Sequence, residues 1–336
     1  MKLLVTGGAG FIGSNFIRRC MKRHPAWELV NLDKLTYAGN LDNLKGVDAD
    51  PRYRFVRGDI ADAELVGRIA GEGLDAIVNF AAETHVDRSI GNADDFIRTD
   101  VYGTFVLLEA ARMHKVGKFI QISTDEVYGS IEKGSFLETD ILMPRNPYSA
   151  SKAGADRLAY SYWATYRLPV VITRASNNFG PFQYPEKVIP LFVTNALKYI
   201  PLPLYGDGMN VRDWLFVEDH CAAVEFLLER GTDGEVYNIG GGNELSNAEL
   251  TRFILDYLKK PATLIKRVKD RQGHDRRYSL NCDKLKALGW KPRTDFEQAM
   301  RETIDWYVKN ESWWSRLKSG EYLDYYRKQY VERERA

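Results

Sequence analysis

The 336-residue sequence predicts an α/β protein: a doubly wound parallel sheet with a smaller α/β unit interleaved in its C-terminal half. Three observations carry this expectation. Short β-rich runs alternate with helical patterns as far as Ala175. A glycine-rich turn joins the first strand directly to the first helix. Beyond Ala175 the alternation loosens, and Pro181, Pro185, Pro190, Pro201 and Pro203 interrupt it.

Taken in order, strands are expected at 3–6, 28–32, 53–57, 76–80, 118–123 and 170–175. Helices fall between them, near 11–23, 63–70, 93–114 and 148–166. Further strands are expected at 211–217 and 235–239, and further helices at 247–258 and 296–308. The tail from Trp313 to Tyr330 is aromatic and charged and reads as a docked helical end. The division that follows places residues 1–175 with about 211–240 in the larger unit, and about 176–210 with 241–336 in the smaller.

The formal net charge of +1 argues against nucleic acid or an anionic membrane as the main partner, since both require a broad basic surface. No apolar run approaches the roughly 18 residues of a membrane span. The first strand begins at once and leaves no room for a signal peptide, so a cytoplasmic location is expected. Cys20, Cys221 and Cys282 are isolated and read as reduced structural cysteines. His24, His85, His114, His220 and His274 show no metal-ligand spacing, and no metal is expected.

Thr6-Gly7-Gly8-Ala9-Gly10-Phe11-Ile12-Gly13 links the first strand to the first helix. Gly7, Gly10 and Gly13 permit a tight turn and the close approach of a pyrophosphate, while the helix N-terminus offers N–H groups and a positive dipole end. Standing alone, such a run is also an ordinary glycine-rich turn. At the first strand–helix junction it signals a Rossmann-type dinucleotide site. Asp33, 20 residues after Gly13, ends the second strand, where a carboxylate can accept both ribose hydroxyls and repel a 2′-phosphate. NAD is therefore the expected cofactor, with Lys34 adjoining Asp33. Asp59 and Ile60 follow the third strand and could hold the adenine. Phe80, Ala81 and Ala82 follow the fourth and allow close backbone approach.

Two features carry chemistry. Asp125 and Glu126 stand where the apolar strand 118–123 runs out, the end at which parallel sheets form their sites. Tyr148 and Lys152, four residues apart, share a helix face. Asn146 suits the N-cap and Pro147 the first helical position, which puts Tyr148 in the first turn. There the dipole favours a phenolate, and Lys152 beside a nicotinamide cation would lower the phenol pKa further. A surface Tyr–Lys pair and an exposed acidic turn would show the same letters without a Rossmann half before them.

Together with Thr6 to Gly13, the segments Leu35-Thr36-Tyr37-Ala38-Gly39-Asn40, Ala81 to Ser89, Thr124-Asp125-Glu126-Val127-Tyr128-Gly129, Tyr148 to Lys152, Ser176 to Pro181, Pro185-Glu186-Lys187, Arg212-Asp213-Trp214 and Gly273 to Tyr278 span nearly the whole chain. In them the sequence resembles the extended short-chain dehydrogenase/reductases that act on nucleotide sugars. Within that family it is most similar to the 4,6-dehydratases, because the 4-epimerases lack the two acids at Asp125 and Glu126. Gln272 stands where the family often has proline, and Asn146-Pro147 replaces a frequent serine-proline.

The resemblance implies oxidation at sugar C4, loss of water across C5–C6 and return of hydride to C6. It implies Tyr148 as the base at C4, Thr124 bonded to the C4 oxygen, and Lys152 on the nicotinamide ribose. It implies Glu126 as the base at C5 and a protonated Asp125 as the acid at the C6 hydroxyl, two neighbouring carboxyls with pKa values pushed apart. On the cofactor side it adds Thr36, Thr99 and Asn178. For the substrate it points to Thr84, Asn177, Glu186, Lys187, Pro203, Tyr205, Arg212, Asn247, Arg271 and His274, of which Lys187, Arg212 and Arg271 are cations suited to a diphosphate. The expected partner is a nucleotide-diphosphate sugar, dTDP-glucose by resemblance, with UDP- and CDP-glucose as alternatives. A homodimer through helices 93–114 and 148–166 is expected. The competing readings are a 4-epimerase on the same scaffold and a non-catalytic NAD(H)-binding sensor, which would not need Thr124, Tyr148 and Lys152.

Overall fold

Seven parallel strands organise the computed structural model, which describes residues 1–270 and 272–332. Strands β1 (Lys2–Thr6), β2 (Glu28–Asp33), β3 (Tyr53–Arg57), β4 (Ala76–Asn79), β5 (Lys118–Thr124) and β6 (Val170–Ala175) come from the alternating first half. With β10 (Val236–Ile239) they stand in the order β10-β6-β5-β4-β1-β2-β3, every pair parallel. The chain reverses direction across the sheet between β1 and β4, and a crevice opens beyond the carboxyl ends of the strands at that point.

Apart from the edge strand β3, the strands are almost wholly buried, as a sheet covered on both faces requires. On one face Val66, Ile69, Leu107, Leu108, Ala111 and Ala159 pack down from helices Ala63–Ala70, Thr104–Met113 and Pro147–Tyr166. On the other, Phe16, Ile17 and Cys20 of helix Phe11–Arg23 meet Cys221, Val224 and Leu228 of helix Val217–Arg230. The expected helix 93–114 is a helical run with π geometry over Ile97–Gly103. Such widened turns often mark functional sites.

The second half forms two small sheets. Strand β9 (Val211–Phe216) lies between β7 (Asn177–Phe179) and β11 (Glu244–Ser246), and β8 (Leu202–Tyr205) pairs with β12 (Ile265–Val268). Residues 211–240, grouped with the larger unit on sequence, divide between the sheets. Strand β9 belongs to the small one, whereas the helix after it packs beneath β5 and β6 and β10 joins the large one. The interrupting prolines have ordinary places. Pro190 lies in the first turn of helix Val188–Leu197, which has no need of its N–H, and Pro203 sits in the two-stranded sheet. The tail folds into helices Glu311–Leu317 and Glu321–Arg327 followed by a π turn, with Trp313, Trp314 and Tyr322 buried. Among the described residues no helix is long and apolar enough to cross a membrane.

Candidate active site

The crevice holds a cavity of about 280 Å³ that runs from the end of β3 to the end of β6. At its centre is the glycine turn. Gly7 takes φ +65°, and a Cβ there would lie 2.7 Å from the backbone nitrogen of Ala81. A Cβ on Gly13 would lie 2.4 Å from the Gly7 carbonyl oxygen. Both positions are closed to any side chain, so the turn packs directly against the end of β4 and leaves Gly10, Phe11 and Ile12 lining the cavity.

At one end, the Asp33 carboxylate accepts N–H bonds from Ala9 at 2.9 Å and Leu35 at 2.8 Å. Burial raises its pKa, opposed by those two bonds. Leu35 is held at φ +57°, a left-handed conformation that turns the following loop, with Thr36, over the cavity. Lys34 pairs with Asp59 at 2.8 Å, and Ile60 lies beside them. Phe80, Ala81, Ala82 and Thr99 form the adjoining wall.

The other end carries the reactive groups. Strand β5 finishes at Thr124, whose Oγ1 accepts the Glu126 N–H at 3.3 Å and so caps the 3-10 turn Asp125–Tyr128. Asp125 is only 2% exposed, and its Oδ2 is buried without a hydrogen-bond partner among the described residues. Burial and then the neighbouring Glu126 push its pKa well above the usual carboxylate range, against the pull of Arg212. Glu126 accepts from the Tyr278 hydroxyl at 3.4 Å.

Helix Pro147–Tyr166 opens opposite this turn. Asn146 caps it by accepting the Ser149 N–H at 2.9 Å, with the reciprocal Ser149 bond completing a capping box. That puts Tyr148 in the first turn, facing the cavity. Its phenol departs from the expected direction. Burial, then Glu126 and Asp100, push the pKa well up, and the hydrogen bond with Thr124 opposes them only in part. Lys152 donates to the Ile122 carbonyl at 2.7 Å, and burial lowers its own pKa. Burial, together with part-buried Glu126 and buried Asp100, outweighs a dipole and one ammonium. Asp100, on the π turn, accepts from Ser151 at 2.6 Å and the Glu83 N–H at 2.9 Å; burial lifts its pKa to about 6.

A second cavity, about 160 Å³, opens from this end. Thr84, Glu126, Asn177, Glu186 and Lys187 line both cavities. Lys187 donates to the Thr84 carbonyl at 2.7 Å, and buried Glu186 receives Arg88 at 3.2 Å. Pro203, Tyr205, Arg212, Asn247 and His274 supply further parts of its wall. Arg212 donates to the Asp275 carbonyl at 3.0 Å with its guanidinium 4.2 Å from the centre of the Tyr278 ring. Tyr205 receives Gln329 of the tail at 2.6 Å, and His274 meets Asp270 at 2.6 Å. Arg271 lies outside the described residues.

Several lining residues escaped the sequence reading. Ser123, Ser176 and Glu83 stand beside residues it named, and strand ends were the available signal. His220 lies in the first turn of helix Val217–Arg230 with Nδ1 2.9 Å from Asn178 Oδ1. Tyr37, Gln183 and Tyr184 line the first cavity and Asp87, Trp214 and Tyr330 the second. Tyr330 reaches the site from the far C-terminal tail, for which no local pattern exists. Among the described residues no group of three or more His, Cys, Asp or Glu is placed to hold a metal ion.

A dinucleotide fits the first cavity on its own terms: a cradle closed to Cβ atoms, an anchored carboxylate at one end, and a tyrosine–lysine pair at the other. The comparisons agree. A family model described as GDP-mannose 4,6 dehydratase matches residues 4–303. A dTDP-glucose 4,6-dehydratase from Streptomyces antibioticus is 54% identical over 324 residues, covering 95% of this chain and 96% of that one. The dTDP-glucose 4,6-dehydratase structure from Streptomyces venezuelae, with NAD and dTDP bound, superposes with a TM-score of 0.93 at 53% identity, covering 95% of this chain and all of that one. A UDP-glucose 4-epimerase complex with NAD from Thermus thermophilus reaches 0.86 at 31% identity, covering 92% of this chain and all of that one. Matched from strand β1 through most of helix Phe296–Lys309, the chain belongs to the GDP-mannose 4,6 dehydratase family, among the extended short-chain dehydrogenase/reductases.

Proposed function

We propose that the protein is an NAD-dependent dTDP-glucose 4,6-dehydratase, converting dTDP-glucose to dTDP-4-keto-6-deoxyglucose with loss of one water. The observation that carries this is the placement of Asp125 and Glu126 in the same cavity as Thr124, Tyr148 and Lys152. When bound, NAD supplies the hydride acceptor for C4 and the hydride donor for C6, so the oxidant is regenerated within one turnover. Gly7 to Gly13, Asp33, Lys34, Thr36, Asp59, Ile60, Phe80, Ala81, Ala82, Thr99 and Asn178 are the residues that would hold it.

The chain's own residues handle the protons. Tyr148 receives the C4 hydroxyl proton, with Thr124 orienting that oxygen and Lys152 beside the ring. Burial and the nearby acids raise the phenol pKa in the ligand-free protein, and a cation bound beside the ring would lower it. A C4 ketone acidifies the C5 hydrogen, and Glu126 removes it. Asp125, held protonated by burial and by Glu126, delivers its proton to the departing C6 hydroxyl. Lys187 and Arg212 carry the charge of the diphosphate, with Thr84, Asn177, Glu186, Pro203, Tyr205, Asn247, Arg271 and His274 around the nucleotide sugar.

The large-sheet unit serves as the NAD-binding part, and the segments 176–210 and 241–336 as the sugar-nucleotide part. The protein acts in the cytoplasm as a homodimer. Supporting the dimer, Ile97, Tyr102, Phe105 and Met113 of one helical run, and Tyr160 and Tyr166 of the next, leave apolar side chains exposed. Incubating the holoenzyme with dTDP-, UDP- and CDP-glucose tests the reading. Loss of water, fastest with dTDP-glucose, is expected. A 4-epimer formed without loss of water would overturn it.

A further inference from the structure

Behind the reacting groups lies a buried polar network that the mechanism does not use. Arg174, on β6 and 1% exposed, forks onto both oxygens of Asp156 at 2.8 and 3.0 Å. Its Nη1 donates to the Tyr128 hydroxyl at 2.7 Å and to the Glu138 carbonyl at 3.1 Å. That hydroxyl in turn donates to Asn238 Oδ1 on β10 at 2.8 Å. Asn238 Nδ2 is fixed by the carbonyls of Phe136 and Asn281 at 3.0 and 3.1 Å, so its oxygen has to face Tyr128. The Tyr128 ring stacks on Phe136 at 4.8 Å.

The two ends of this network are the two halves of the chemistry. Asp156 lies on the helix of Tyr148 and Lys152, at successive i+4 steps on one face. Tyr128 closes the 3-10 turn that begins at Asp125, two residues after Glu126. A fully buried ion pair contributes little stability over a well-packed apolar substitute, yet it demands one geometry. Here that geometry joins the helix acting at C4 to the turn acting at C5 and C6.

We propose that Arg174 and Tyr128 are positioning residues that hold the Asp125–Glu126 turn in register with Tyr148, so that one sugar pose serves both oxidation and elimination. The claim rests on the functional reading above. Its consequence is selective. Loosening the link displaces the acid and base from C5 and C6, while the helix and its N-cap still present Tyr148 to C4. A misplacement of about 1 Å slows a positioned reaction on the order of 100-fold.

The test is a single turnover of dTDP-glucose on the NAD-loaded enzyme, quenched into borodeuteride and read by mass spectrometry. Labelled hexose reports sugar oxidised but not dehydrated; labelled deoxyhexose reports product. In Tyr128→Phe, which keeps the ring and its stack, oxidation should stay within about twofold of wild type while dehydration falls roughly 10–100-fold, so labelled hexose accumulates. Arg174→Lys keeps a charge beside Asp156 but loses the fork and should show the same split; if it does not fold, Tyr128→Phe decides. If both steps slow equally, or neither slows, in a wild type that dehydrates normally, the positioning role is overturned. A wild type that oxidises the sugar without dehydrating it overturns the functional reading, and this claim with it.

Discussion

The larger cavity is built from strand ends of one sheet, and the smaller from short sheets, helices, a turn and the tail. Asp33, Phe80, Thr124 and Ser176 each follow or finish a strand of one continuous sheet, so a regular scaffold fixes their spacing. Pro203, Arg212, Asn247, His274 and Tyr330 come instead from two short sheets, a helix start, a turn and the tail, and hold position through bonds such as Arg212 to the Asp275 carbonyl and Gln329 to Tyr205. In the proposed reading, the groups that move protons sit on the rigid side, and those that would bind the sugar nucleotide sit on the assembled side. The five residues lining both cavities form the seam.

Substitutions can break this comparison. The largest effects are expected on the scaffold side. Asp125→Asn and Glu126→Gln should lower kcat about 10²–10⁴-fold with little change in KM, the usual loss for a positioned acid or base. Tyr148→Phe should block oxidation at C4 by a similar factor, so no keto sugar forms. On the assembled side, Lys187→Met and Arg212→Gln should act mainly on KM, by about 10–100-fold, as expected for one charge-assisted contact. If steady-state kinetics put the Lys187→Met loss in kcat, the division is wrong. Asp33→Asn should weaken NAD binding about tenfold, the scale of one hydrogen bond to a charged group, and narrow its preference over NADP; calorimetry on the apo-protein reads both.

The same contrast decides what could be read from the letters alone. All seven strands of the large sheet show as short apolar or β-rich runs, the seventh as the run 235–239. The chemistry shows because Asp125 and Glu126 interrupt that pattern at a strand end. By contrast, β7, β8, β11 and β12 have three or four residues each, too few for a period, and Pro203 inside β8 reads as a break. The π turn Ile97–Gly103 has the same apolar spacing as an α-helix, so its widened geometry leaves no trace. Tyr148's raised pKa was also hidden, because it depends on burial and then on Glu126 and Asp100, which come from two other elements.

The smallest predicted effect is on stability. Folding raises the Asp125 pKa above its ordinary 3.8. The native state therefore binds the proton more tightly, so this group's contribution is complete below that value and is lost as pH rises towards the folded pKa. Asparagine cannot ionise. Asp125→Asn should therefore unfold a few degrees above the wild type at neutral pH, with the gap closing on acidification towards pH 4, as followed by calorimetry. An inactive variant that is also no more stable at neutral pH would mean that Asp125 is not held as the neutral acid.

The central claim is that one sugar stays in one cavity through oxidation, elimination and reduction. Deuterium placed at C4 of dTDP-glucose tests it most directly. The label should appear at C6 of the same molecule, undiluted by solvent, while C5 takes up solvent hydrogen through the exchangeable Glu126 carboxyl. Mixed labelled and unlabelled sugars should show no exchange between molecules. Crossover, or loss of the C4 label to water, would contradict the claim even if the product were the expected 4-keto-6-deoxy sugar.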